Sequence, residues 1–209
     1  MKRPEGIGGI LLKLSMEDRK EFISKVASKV FSEKGYQVAS LQDIAMGAEI
    51  SKAGVYHYFK SKNDILAYIL IRNSDIFLEK LKRSIKESKE KVLTPQDTFK
   101  RLIMAYAQHT NIDKDKRLIV LRERHQISGK YKKELFRREQ AIFRLLRHEL
   151  QEIPDLEQKI NVNVISFLFI SMSHWLGYWY KEGKGLDINN IIDQNIQIIM
   201  HGILKKPHS

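Results

Sequence analysis

The chain has 209 residues, 43% of them hydrophobic and 30% charged, an ordinary globular balance that can bury a real core. It contains no cysteine, which excludes disulfide scaffolds, thiolate metal sites and cysteine nucleophiles and leans towards a reducing compartment. The formal net charge of +12 favours an anionic partner.

Where that charge lies matters more than its size. Residues 1–62 carry 11 Lys+Arg against 7 Asp+Glu, residues 114–147 carry 12 against 4, and residues 148–209 carry 5 against 7. The largest excess is therefore in the second half of the chain. At the N-terminus, Met1-Lys2-Arg3 followed by Ile7 to Leu12 resembles a signal peptide only superficially: the apolar run is too short and holds Gly8 and Gly9. No apolar run reaches the ~20 residues of a membrane helix. The expectation is a soluble, cytoplasmic protein without a membrane partner.

The periodicity predicts an all-α fold, with no alternating stretch long enough for a strand. A first helix carries Phe22, Ile23, Val26, Val30 and Phe31 on one face and stops at Gly35. Short helices follow from Leu41 to about Gly47 and from Lys52 to about Phe59. A long fourth helix begins at Lys62. Further helices are expected near 96–110, 116–126, 131–151, 155–181 and 187–204, with Pro95 and Pro154 standing where helices begin. Four N-termini share one signature: Ser15/Asp18, Ser40/Asp43, Ser61/Asp64 and Thr94/Asp97 each place a hydroxyl three residues before an acid, the capping-box spacing.

The two short helices read as a helix-turn-helix from about 40 to 59. Leu41, Ile44, Ala45, Ile50, Val55 and Phe59 supply the shared core, and Ser51 caps the second helix. Lys52, Ala53, Tyr56 and His57 then face outwards, suited to phosphates and base edges, and Gly54 leaves room for backbone to approach DNA.

Phe31-Ser-Glu-Lys-Gly-Tyr36, Ser40-Leu-Gln-Asp-Ile-Ala45, Ser51-Lys-Ala-Gly-Val-Tyr-His-Tyr-Phe59 and Lys60-Ser-Lys62 together resemble the N-terminal signature of TetR-family regulators. The resemblance implies a three-helix DNA-binding head over residues 1–62, including an N-terminal arm, and a larger helical effector-binding and dimerisation body over 63–209. It implies a homodimer on double-stranded operator DNA, with Ser40, Lys52, Ala53, Gly54, Tyr56, His57, Tyr58 and Lys62 at positions that approach the duplex. One departure stands out: Glu49 occupies the turn position where the family usually has Gly. If φ is positive there, Glu costs roughly 1 kcal/mol, unless Gly47 takes over the turn.

The body shows no catalytic constellation, no metal-ligand spacing and no cofactor motif, so an enzyme is not expected. The helices near 155–181 and 187–204 are apolar enough to need covering by a second subunit, the usual dimerisation surface by resemblance. The basic 114–147 stretch is either a solvated face or the rim of a pocket for an anionic effector. The Arg/Tyr-rich 122–147 stretch and Trp175-Leu-Gly-Tyr-Trp-Tyr180 are similar to members sensing acyl-CoA or related lipids. On that reading Tyr106, Arg122, His125, Phe143, Phe169, His174, Trp175 and Tyr178 are the candidate effector contacts, with a hydrophobic drug-like effector as the alternative.

Overall fold

A computed structural model of the chain describes residues 15–112, 114–154, 156, 160–180, 185 and 187–203, with side chains for these apart from 110–112, 114–117 and 177–179. Among the described residues there are nine α-helices: α1 Met16–Lys34, α2 Leu41–Gly47, α3 Lys52–Tyr58, α4 Lys62–Glu90, α5 Pro95–Ile112, α6 Lys114–Arg122, α7 Gly129–Gln151, α8 Val162–Trp179 and α9 Ile188–Ile203. A single 3-10 turn, Arg124–Gln126, separates α6 from α7.

The four hydroxyl–acid pairs behave as their spacing predicts, with one refinement. The backbone N–H groups of Asp18, Asp43, Asp64 and Asp97 each donate to the hydroxyl three residues before, all at 3.1 Å. The reciprocal bond from the cap backbone to the acid is made at Ser40, whose N–H donates to Asp43 Oδ2 at 2.8 Å. At α4 the reach-back falls one residue earlier: Lys60 N–H donates to Asp64 Oδ2 at 3.0 Å.

The apolar helix expected from 155 starts later, at Val162, where the Asn161 side chain accepts the Asn163 N–H at 2.9 Å and so supplies the cap. Pro154 lies in a turn rather than at a helix start, whereas Pro95 is the first residue of α5. Buried serines on α8 do not interrupt it, because Ser166 and Ser173 donate to the carbonyls of Val162 and Phe169 four residues back.

The chain divides into two compact units. One holds residues up to Asn73 together with Lys114–Leu135; its core joins Ile23, Ala27, Phe31, Ile44, Ala45, Val55, Phe59, Ile65 and Leu66 to Ile119, Ile127 and Leu135. The other holds Ser74–Asp113 and residues from Phe136 onwards, around Phe77, Leu81, Phe99, Leu102, Tyr106, Leu146, Phe169, Leu176, Ile192 and Ile196. Both α4 and α7 run unbroken through the division points. No described helix is long and apolar enough to cross a membrane.

Candidate nucleic-acid interface

α2 and α3 are seven residues each, too short to hold themselves in water, so their stability comes from caps and shared core. Ile44, Ala45, Val55 and Phe59 are buried between them and α1, and Leu41 and Ile50 are half-buried. Gly47 is required by packing: a Cβ there would come 2.9 Å from Val26 Cγ1 on α1. It does not provide the turn.

That role falls to Glu49, at φ 53°. Its N–H donates to the Met46 carbonyl at 3.1 Å, and Ile50 N–H reaches back to the Ala45 carbonyl at 3.0 Å. This pair of bonds is the Schellman pattern, in which the left-handed residue is usually glycine. The departure noted in the sequence is thus a strained position, not a rerouted turn.

Ser51 then caps α3 by accepting Gly54 N–H at 3.0 Å. Lys52, Ala53, Tyr56 and His57 are exposed, with Tyr56 50% accessible, while Val55 on the opposite face is fully buried. At Gly54 an added Cβ would meet nothing nearer than 3.4 Å, so the fold does not itself demand glycine there. Tyr58 is half-buried against the core, its hydroxyl accepting from Arg19 at 3.2 Å and its ring edge-on to His57. Ser40 is exposed, its hydroxyl serving α2 and Asp43.

Lys62 departs from expectation. Its ammonium donates to the carbonyls of Tyr36 at 2.6 Å, Gln37 at 3.0 Å and Ala39 at 2.8 Å, and lies 4.6 Å from the centre of the Tyr36 ring. An ammonium has three hydrogens, and all three are committed. The geometry makes Lys62 a brace for the loop before α2 rather than a free phosphate ligand. The α1 end of the same loop is tied by Lys34, which pairs with Asp43 at 2.6 Å. Hydrogen bonds from Lys34 and from Ser40 hold the Asp43 carboxyl well below the usual carboxylate range.

The candidate effector residues divide between the two units. In the second unit, Tyr106 is buried and its hydroxyl lies 3.3 Å from His174 Nε2. Burial, and then the nearby Glu139 charge, push the Tyr106 phenol above its ordinary pKa. Phe169 is buried edge-on to Phe99, and Phe143 packs on Phe167 with ring centres 4.6 Å apart. Trp175 is 64% exposed, and the side chain of Tyr178 lies outside the described residues. Arg122 and His125 belong to the other unit and are exposed. Six of the eight thus lie in the second unit and two in the first. An apolar cavity of about 10 Å³, lined by Ile103, Phe169, Leu176, Ile192 and Ile196 among others, holds at most a water-sized guest.

What sequence reasoning did not foresee is the seating of the 123–131 stretch on the head. Tyr36 N–H donates to Glu123 Oε1 at 3.3 Å, Gln37 bonds Gln126, Ser128 N–H donates to Asn63 Oδ1 at 3.2 Å, and the Tyr131 hydroxyl donates to Asp64 Oδ1 at 2.8 Å. These partners are 65 to 89 residues apart, beyond any local pattern.

Comparison with known proteins matches both halves of the chain. The family described as "Bacterial regulatory proteins, tetR family" matches residues 23–69, and the "Tetracyclin repressor-like, C-terminal domain" matches 92–203. The regulator HbdR of Aromatoleum sp. (strain CIB) is 29% identical over 107 residues, 51% of this chain but only 45% of that protein. The repressor KstR2 of Rhodococcus jostii (strain RHA1) is 24% identical over 201 residues, covering 91% of this chain and 93% of that one. Among solved structures, AibR in complex with isovaleryl coenzyme A and operator DNA superposes with a TM-score of 0.76 at 21% identity, over 86% of this chain and 97% of that one.

Proposed function

We propose that this chain, which belongs to the TetR family of bacterial regulatory proteins, is a repressor that binds a pseudo-palindromic operator as a homodimer and is released by a small-molecule effector. The family and the relatives it matches are transcriptional regulators, not enzymes. The carrying observation is α3, whose exposed Lys52, Ala53, Tyr56 and His57 stand opposite a buried Val55 on a helix capped by Ser51. Such a helix fits the major groove, with two copies about 34–36 Å apart in a dimer. Lys52 is the candidate base reader; Ser40, Tyr58 and the exposed Lys60 suit the phosphates on either side.

The dimer face is assigned to α8 and α9. Val164, Phe167, Leu168 and Trp175 are exposed at helical spacing on α8, as is Ile198 on α9, and so large an apolar stripe favours a second copy. The effector is inferred to be an acyl-CoA or another anionic amphipath. Supporting this are the AibR neighbour, solved with isovaleryl coenzyme A, and the apolar second unit, where a buried Tyr106 pairs with a half-buried His174. Its apolar part would enter between α5, α8 and α9, widening the small cavity there. Because α4 is continuous from Lys62 to Glu90, displacing its far end would re-aim the head. The ligand shifts the equilibrium only by its differential affinity for the two arrangements. A regulator of this kind works in the cytoplasm.

The test is binding to the DNA upstream of the protein's own gene, with and without isovaleryl or longer acyl-CoA. Wild type should bind that duplex in preference to a scrambled one, and a matching acyl-CoA should release it. Lys52→Ala should relax base preference by ~1–3 kcal/mol at one base pair. No preference over the scrambled duplex would end the regulator reading, and intact binding in every acyl-CoA would end the acyl-CoA assignment.

A further inference from the structure

The densest positive charge in the chain has no role in the reading so far. Within Lys114–Leu135 there are eight Lys+Arg against three acids, and this stretch belongs to the unit that contains α1, α2 and α3. It is fastened at Tyr36, Gln37, Asn63 and Asp64, the loop before α2 and the first turn of α4. Those are the two segments bordering Ser40 and Lys60, which the DNA-binding reading turns towards phosphates. From these anchors Lys130, Lys132 and Lys133 stand exposed.

The placement of the three lysines is locally unfavourable. Lys130 and Lys132 lie in the first turn of α7, which contains no acidic residue, and Lys133 directly follows it, so all three sit near the positive end of the helix dipole. The acids anchoring this stretch are engaged elsewhere: Asp64 accepts from Tyr131 and Lys60, and Glu123 from Tyr36. Glu134 stands at i+4 from Lys130, but Lys132 and Lys133 have Phe136 and Arg137 at that spacing, so two of the three ammonium groups lie beside a helix N-terminus with no acid one turn on. Lys130 also lies 5.1 Å from the centre of the Tyr131 ring; the excess positive charge left on this exposed turn suits an outside anion.

We propose that Lys130, Lys132 and Lys133 form a second DNA contact, gripping the phosphate backbone beyond the base pairs read by α3. The proposal rests on the DNA-binding reading and deepens it. The contact is sequence-independent, since ammonium groups on phosphates carry position and affinity but no base code. It would place the body's charge in the service of binding, not of an effector pocket.

The test uses the triple variant Lys130→Gln/Lys132→Gln/Lys133→Gln in the full chain, with a mixed-sequence duplex of about 40 base pairs, because phosphate contacts are read on any sequence. A control variant removes the same charge elsewhere: Lys82→Gln/Lys86→Gln/Lys89→Gln, three exposed positions on α4. Each lost phosphate contact lowers the slope of log K against log salt by about 0.9. The first triple should therefore lower it by ~2–3 per subunit, with a loss of tenfold or more in affinity, while the control leaves both near wild type. Base preference on the upstream duplex should stay unchanged, and the melting temperature should hold or rise as dipole repulsion is relieved. Equal slopes for both triples, or a slope equal to wild type for the first, would overturn the contact. Failure of the reading beneath it looks different: wild type itself would then show no preference for the upstream duplex, and Lys52→Ala would change nothing.

Discussion

With three carbonyls and a tyrosine ring around its ammonium, Lys62 ties the first turn of α4 to the loop before α2. Charge-assisted hydrogen bonds contribute more than neutral ones, and removing the donor strands half-buried acceptors. Lys62→Met should lower stability by about 1–2 kcal/mol, seen as an earlier urea midpoint at unchanged slope m. Its DNA-binding salt slope should equal wild type; a fall of about one unit would return Lys62 to the phosphates. Glu49 is the opposite case, a residue held against its own preference at φ 53°. Glu49→Gly should raise stability by roughly 0.5–1 kcal/mol, because the left-handed conformation penalises a Cβ. A melting temperature no higher than wild type would show that the strain is relieved in solution.

α2 illustrates how an element too short to stand alone is held at both ends. The Ser40–Asp43 box fixes its start, Lys34 pairs with Asp43, the Schellman bonds close its end, and Gly47 allows α1 within contact of its backbone. Its dependence on Asp43 predicts a pH response. The folded carboxyl titrates below its unfolded value, so its contribution is complete above about pH 4 and is lost as pH falls through the folded value. Head stability should therefore decline on acidification below about pH 4, followed by tryptophan-independent far-ultraviolet dichroism. Asp43→Asn should be less stable than wild type at neutral pH and show a shallower acid loss. An identical acid profile in the two proteins would mean that other carboxylates carry it.

At the scale of the molecule, the exposed apolar stripe of α8 is the feature a lone subunit does not explain. Phe167 is 59% exposed and Trp175 64%, against buried Phe169 and Leu176 on the same helix. Because both side chains are more than half exposed, Phe167→Asp with Trp175→Glu should cost the subunit little beyond the Phe143–Phe167 ring contact and give a monomer in sedimentation. Loss of the second head should then cost operator affinity on the order of a hundredfold or more, through lost effective concentration. A variant that sediments as a dimer would move the interface off this stripe.

The helices, their caps and the exposed face of α3 were legible in the chain because each rests on interactions three or four residues apart. The Ser40–Asp43 box and the buried Val55 opposite Lys52 follow directly from spacing. The left-handed turn was legible as a misfit at Glu49, although its geometry needed the backbone. Three things were decided only by tertiary packing: the commitment of Lys62 to a loop 23–26 residues away, the pairing of Tyr106 with His174, and the seating of a basic stretch on the head. Each joins residues whose closeness depends on how whole helices cross. A side chain's partners are settled there, and with them whether a lysine braces a loop or meets a phosphate.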